Sequence, residues 1–354
     1  WNICLIFLAF FFFFFGTFIT RSGLISSVHS FAQSSIGPYF IVFIILTVVF
    51  AIFMYQKNKK LISSNEDIVS LFSKENFLIF NNIFFLIITL TVFLGTVFPI
   101  IFDAFTGEKI LVGPTFYDLV NFPNVLALMS LMSVAPIIPW KTGKLSPILM
   151  LLLKPVILSI LTTFVAYMFF DNFKVLLIFF ISSFVIFVIL QDIIVEFKLQ
   201  LARGLKWKDI LSKRYRRYCS FLVHFGIILL IIGITLSSVY GTKSDFILST
   251  GQSLKINDYD IKLLETYKKE SEAKNILGAK LLLTDSGSSY YLYPEQNLYK
   301  YEGNREINKE TEVAIYNTLK KDYYLILIDD MEDGRFNFKI YINPWVSLLW
   351  IGSL

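Results

Sequence analysis

The chain has 354 residues, of which 55% are hydrophobic and only 17% charged, with a formal net charge of +5. Soluble globular domains carry nearer a quarter charged residues, so this balance excludes an ordinary soluble enzyme and favours a membrane protein. The two cysteines, Cys4 and Cys219, lie far apart in apolar segments with no CxxC or zinc spacing, which argues against a dithiol redox centre or a cysteine metal site.

A helix needs about 20 mostly apolar residues to cross a bilayer core. The first candidate, residues 3–20, has no basic stretch before it and no small-residue cleavage site after it, so it reads as a span rather than a signal peptide. Its run Phe11 to Phe15 reads as compositional bias in a chain rich in Lys, Ile and Asn, rather than as an aromatic cofactor box. Further spans are expected at 39–55, 77–100, 119–140, 155–170, 175–194 and 219–240, giving about seven complete crossings. Pro147 and Pro155 bracket the fifth, whose start is therefore open to an earlier position. The chain opens on Trp1 and ends at Leu354 inside an apolar run, so both ends are expected to be truncated.

Basic residues are divided unequally between the loops. One set holds Lys57, Lys59, Lys60 and Lys74, then Lys141, Lys144 and Lys154, then eight Lys and Arg between Lys198 and Arg217; the alternate loops offer Arg21, Lys109 and Lys174. By the positive-inside rule the first set is cytoplasmic, and the region after Tyr240 lies outside. This topology accounts for the positive charge without a nucleic-acid partner, and adds anionic lipid as a partner for the basic run 206–217.

Between Gly241 and Asn343 the composition becomes that of a soluble domain. Alternation in Asp258-Tyr-Asp-Ile-Lys-Leu and Phe336-Asn-Phe-Lys-Ile-Tyr-Ile predicts strands, as do the runs 280–284, 290–293 and 323–328. Asp285-Ser-Gly and Glu332-Asp-Gly mark turns between them. The expected architecture is a polytopic α-helical membrane protein (residues 1–240) with an inserted small, mostly β extracytoplasmic domain (241–343) and the start of a last span (344–354). The β region has no histidine or cysteine, so recognition or scaffolding is its expected role.

Chemistry is restricted to two histidines. His29 lies in an outer loop where Leu24, Ile25, Val28 and Phe31 keep helical spacing, as in a short helix lying on the membrane surface; simple solvation is the alternative. His224 lies about 10 Å past Arg217 into the seventh span, at 1.5 Å per residue. An ionisable group there is costly and marks a candidate functional site; the alternative is a neutral imidazole making one hydrogen bond to a neighbouring helix. Ser220, His224, Ile227, Ile228, Ile231 and Thr235 share one helical face, while Cys219, Gly226 and Gly233 form a small-residue face nearly opposite, suited to close packing. Neutral imidazole is a common axial ligand of haem iron. Two histidines at different depths cannot pair with each other, so each would need a partner from elsewhere.

Asn81, Asn82, Asn121, Asp171, Gln191 and Asp192 lie near the ends of spans, where polar side chains serve helix ends and interhelical hydrogen bonds.

Several segments together resemble the CcmF/NrfE-type haem lyases of cytochrome c maturation. They are Gly16-Thr-Phe-Ile-Thr-Arg-Ser-Gly-Leu-Ile-Ser-Ser-Val-His-Ser-Phe-Ala, Leu94-Gly-Thr-Val-Phe-Pro, Val112-Gly-Pro-Thr-Phe-Tyr, Arg217-Tyr-Cys-Ser-Phe-Leu-Val-His-Phe-Gly, Leu292-Tyr-Pro-Glu, Thr311-Glu-Val-Ala-Ile and Asn343-Pro-Trp-Val-Ser-Leu-Leu-Trp. They run in family order across nearly the whole chain. The resemblance implies that His29 is an outer-face axial ligand of the haem about to be attached, and His224 an axial ligand of a membrane-held haem b. It also implies a tryptophan-rich WWD segment, and the partner histidine of each pair, before Trp1. Haem is then substrate as well as cofactor; the implied partners are the haem chaperone CcmE, the CcmH and CcmI subunits and the CxxCH thiols of apocytochrome c. The implied location is the bacterial inner membrane with the β domain periplasmic, or the mitochondrial inner membrane. A transporter of haem or another substrate, and a non-catalytic assembly scaffold, are the competing classes; the first would show internal repeats and broken helices.

Overall fold

The computed structural model describes residues 2–22, 36–62, 70–140, 145–256, 259–270, 274–285, 287–299, 308–331 and 334–354. Among these, seven helices precede a β region and one short helix follows it. They are α1 (Asn2–Ser22), α2 (Gly37–Ile62), α3 (Lys74–Thr106), α4 (Pro114–Val134), α5 (Leu145–Tyr167), α6 (Phe173–Ala202), α7 (Trp207–Tyr240) and α8 (Val346–Ser353). Six of them, α1–α3 and α5–α7, are long and apolar enough to cross a membrane. The span expected at 119–140 is the helix α4, but Asn121, Pro123 and Asn124 lower its apolarity and it ends at Val134. The start of the fifth span does lie earlier than Pro155, at Leu145, and Pro155 sits within the helix.

The chain forms two compact units, one of residues 1–128 and 138–144 and the other of 129–137 and 145–354. In the first unit the phenylalanine run is used for packing. Phe12 and Phe15 of α1 set their rings 5.1 and 5.5 Å from Phe93 of α3, and Phe14 lies 4.8 Å from Phe43 of α2. Such tilted pairs add stability beyond their buried area, so a run explained by composition nevertheless holds three helices together. Helix α3 is capped at its start by Ser73, whose hydroxyl accepts from Asn76 N–H, and at its end by Gly107 in the left-handed conformation.

In the second unit the strands form two antiparallel sheets. The first has the order β1 (Thr242–Ser249), β10 (Arg335–Pro344), β9 (Lys321–Asp330), β8 (Ala314–Asn317). The second runs β2 (Ser253–Ile256), β3 (Tyr259–Glu270), β4 (Lys274–Asp285), β6 (Glu295–Tyr299), β7 (Asn308–Glu312), with β5 (Ser288–Leu292) also paired to β4. Both sheets contribute to one apolar core, including Leu248, Ile261, Leu281, Leu325 and Phe338. Burial alternates along β3 and β10 as the period-two pattern requires. Gly287 and Gly334 take positive φ at the turns expected after Asp285 and Glu332.

The β region continues two packed helices. Strands β1 and β10, which lead out of α7 and into α8, pair along the whole of β1, from Thr242↔Ile342 to Ser249↔Arg335. At the entry to α8, Trp345 N–H donates to Lys320 O (2.8 Å) and Ser347 Oγ to Thr318 O (2.7 Å). Trp345 takes φ +60 there, a conformation that a bulky residue adopts only when its surroundings impose it.

Candidate functional site

Helix α7 is fixed at both ends against α6. Near its start, Arg217 makes a two-pronged contact with Asp192 of α6 at 2.6 and 2.8 Å, and Arg214 reaches Glu196 at 3.2 Å. At its far end the Tyr240 hydroxyl donates to Asp171 at 3.1 Å and accepts from Asn172 N–H at 3.4 Å. The two helices are therefore antiparallel and locked in register. Gln191 ties α6 to α5 by donating to Leu151 O at 2.9 Å, a side-chain bond that helps fill backbone valences inside an apolar layer. Asp171, Gln191 and Asp192 thus do the structural work expected of them, with Arg217 and Tyr240 as partners that spacing alone could not name.

The opposite side of α7 meets α8 through glycines. A Cβ built on Gly226 would lie 2.6 Å from Gly352 O, and one on Gly233 would lie 2.8 Å from Leu349 N. The small-residue face expected from Gly226 and Gly233 is therefore a backbone-to-backbone seam, and Gly352 completes it from the other helix. A lone glycine in the last stretch of the chain gave no sign of that role.

His224 lies between these constraints. Arg217, Phe221, His224 and Ile228 follow one another at helical spacing, so they share the α7 face that Arg217 turns towards α6. Phe221 and Ile228 are buried, and His224 between them is half-buried. Its Nδ1 is buried and has no hydrogen-bond partner among the described residues. An unmet buried nitrogen costs on the order of 1–3 kcal/mol. Among the described residues Nδ1 therefore makes no bond to a neighbouring helix, and an imidazole nitrogen left free in an apolar setting is chemically suited to bind haem iron.

His29 lies outside the described residues, as does the surface helix expected around it. No group of three or more metal-ligating side chains occurs among the described residues.

No family model matches the chain. The cytochrome c-type biogenesis protein CcmF of Pseudomonas aeruginosa is 28% identical over 364 aligned residues, covering all of this chain and 53% of that protein. CcmF of Escherichia coli (25%, 53% covered) and NrfE of Haemophilus influenzae (25%, 54% covered) match in the same way. The chain is a relative of the CcmF and NrfE biogenesis proteins. A solved structure of the cytochrome c haem lyase CcmF superposes on the whole chain with a TM-score of 0.71 at 20% identity, covering 52% of that protein. The chain thus spans about half the length of the relatives it matches, and the shared fold is a set of apolar helices with a mostly β domain near the C-terminal end.

The β domain holds a buried polar cluster around Asp285 that strand patterning concealed. Asp285, at the end of β4, accepts from Lys321 Nζ at 2.8 Å and from the Tyr323 hydroxyl, joining the two sheets. Burial, then that hydrogen bond, pushes the Tyr323 phenol well above its ordinary value. The cluster shares a strand end with the turn that contacts Trp345, so it stiffens the base of the domain.

Proposed function

We propose that this chain supplies half of the haem ligands of a CcmF-type haem lyase, with His224 for a membrane-held haem b and His29 for the haem being attached. The observation that carries the reading is His224: a half-buried imidazole within an apolar span, on a helix pinned at both ends, with a buried nitrogen that no described residue satisfies. Similarity along the whole of this chain to about half of each of two proteins named for cytochrome c biogenesis supports it.

The chain's own residues would position rather than react. The Arg217–Asp192 contact and the Tyr240–Asp171 bond set the depth of α7, and the glycine seam sets its rotation, so the imidazole is held in place before any ligand arrives. The apolar neighbours Phe221 and Ile228 would keep water from the imidazole. When bound, the haem b would supply single electrons to keep the substrate haem ferrous. Each apocytochrome thiol then adds across one vinyl double bond, sulfur to one carbon and hydrogen to the other, with no leaving group. His29 would hold that substrate haem at the outer face after its arrival on CcmE, with CcmH and CcmI presenting the CxxCH segment. The excess of Lys and Arg in alternate loops supports a bacterial inner-membrane location with the β domain on the periplasmic side.

The test uses the full-length protein. His224→Ala should abolish the b-type haem absorbance, and His29→Ala should leave that absorbance intact while weakening capture of haem from the chaperone. Unchanged spectra and capture in both variants would overturn the ligand assignments. Normal cytochrome c maturation with both histidines replaced would favour a scaffold.

A further inference from the structure

We infer that the elbow between α6 and α7 is a binding site for anionic phospholipid, read by lysines and one arginine around an exposed aromatic stripe. The basic run at the start of α7 divides into two populations. Arg214 and Arg217 are neutralised by Glu196 and Asp192. Lys206, Lys208, Lys213 and Arg216 have no carboxylate partner among the described residues, so their charge is available.

The apolar side of this elbow faces outward. Trp207, Leu211 and Tyr215 are 56%, 43% and 55% exposed and recur every four residues, while Ile210 beside them is 1% exposed and anchors the segment. Each exposed aromatic carries a cation. Lys208 Nζ lies 5.4 Å from the Trp207 ring, and Arg216 Nε donates to the Tyr215 hydroxyl at 3.2 Å. The helix also breaks its regular geometry at Arg214 (φ −115, ψ 15), between Leu211 and Tyr215, where the elbow passes into the membrane-crossing part of α7.

Aromatic side chains with one polar edge prefer the headgroup level of a bilayer, and Lys or Arg beside them draw in anionic headgroups. Four unpaired cations around three exposed apolar side chains fit a phospholipid phosphate above and its acyl chain below. A soluble anion would use the cations alone and leave Trp207, Leu211 and Tyr215 in water. The inference rests on the membrane reading of the helices and not on the assignment of the histidines.

The test reconstitutes the full-length protein in nanodiscs of equal phosphatidylglycerol and phosphatidylcholine, and weighs the lipid retained on gentle extraction by native mass spectrometry. Phosphatidylglycerol should be enriched about fivefold or more in the retained lipid, the effect of roughly one well-placed basic residue. Lys208→Gln with Lys213→Gln should bring the ratio close to that of the bilayer. Lys57→Gln with Lys59→Gln, which removes as many exposed cations from the end of α2, should leave the enrichment in place. Equal losses in the two double variants, or retained enrichment in the first, would overturn the site. Rising salt should erode the enrichment in the unmodified protein, which needs no variant to fold; insensitivity to salt would overturn it as well.

Discussion

Substituting Gly226 by alanine tests the seam that orients His224. The added Cβ would stand 2.6 Å from Gly352 O, 0.8 Å inside the 3.4 Å at which ordinary contact begins, and the obstacle is backbone rather than a movable side chain. Forcing such a shift in a packed interface costs about 1–3 kcal/mol. Against that, alanine gains up to about 1 kcal/mol over glycine in a helix interior. The net expectation for Gly226→Ala is a loss of about 0–2 kcal/mol. Gly16→Ala, where nothing lies within 4 Å of the new Cβ, should show only the gain. Gly352→Ala intrudes on the same seam, since its Cβ would press on Gly226 O, so the double variant should lose less than the two single losses together: helices already parted for one methyl accommodate the second. The assay is thermal denaturation of the purified full-length protein in detergent, read by tryptophan fluorescence. If Gly226→Ala is as benign as Gly16→Ala, or if the Gly226 and Gly352 effects simply add, the helices do not meet backbone to backbone and the reasoning fails.

Three further outcomes follow from individual side chains. Replacing Arg217 by glutamine should cost on the order of 1–2 kcal/mol, since the pair is charge-assisted but partly solvated, and should couple to Asp192→Asn in a double-mutant cycle; independent effects would refute the contact. Asp322 is held above the ordinary carboxylate value by burial, so its folded form favours the proton. Its contribution is therefore favourable below about pH 4 and lost as pH rises through its folded pKa, and Asp322→Asn should stabilise strand β9 against hydrogen exchange at pH 7 but not near pH 3. Burial, then its 2.6 Å hydrogen bond to Glu295, pushes the Tyr267 phenol up to about 12. The stability it adds is intact below about pH 10 and lost towards pH 12, so Tyr267→Phe should flatten part of the alkaline unfolding of the β domain; an unchanged alkaline limb would count against the bond.

The strand reading succeeded where burial alternates. Residues 336–342 and 323–328 lie in β10 and β9: in β10 buried Phe336, Phe338, Ile340 and Ile342 alternate with Asn337, Lys339 and Tyr341, and in β9 buried Tyr323, Leu325 and Leu327 alternate with half-buried Tyr324, Ile326 and Ile328. Strands β6 and β7 escaped notice because their sequences, Glu295-Gln-Asn-Leu-Tyr and Asn308-Lys-Glu-Thr-Glu, carry no such alternation and are held by pairing with β4 and with each other. Tyr267 over Gly278 shows the same limit. The ring covers a glycine directly opposite on β4 and its hydroxyl reaches Glu295 on the strand beyond, a relation between positions 11 and 28 residues away.

Apolar runs about 20 residues long determined by themselves that this chain is a membrane protein, because a bilayer demands internally satisfied backbone over a fixed thickness. The change to alternating, charged sequence after Tyr240 likewise determined the β domain, and the two histidines were the candidates for haem ligands that the sequence offered. Tertiary structure alone decided how the membrane histidine is held. Asp171 finds Tyr240 69 residues away, Asp192 finds Arg217 25 residues away, and Gly226 meets Gly352 across two helices. Periodicity shows which residues share a face, but not what that face meets, because partner choice depends on register and approach distance set by the whole packed unit.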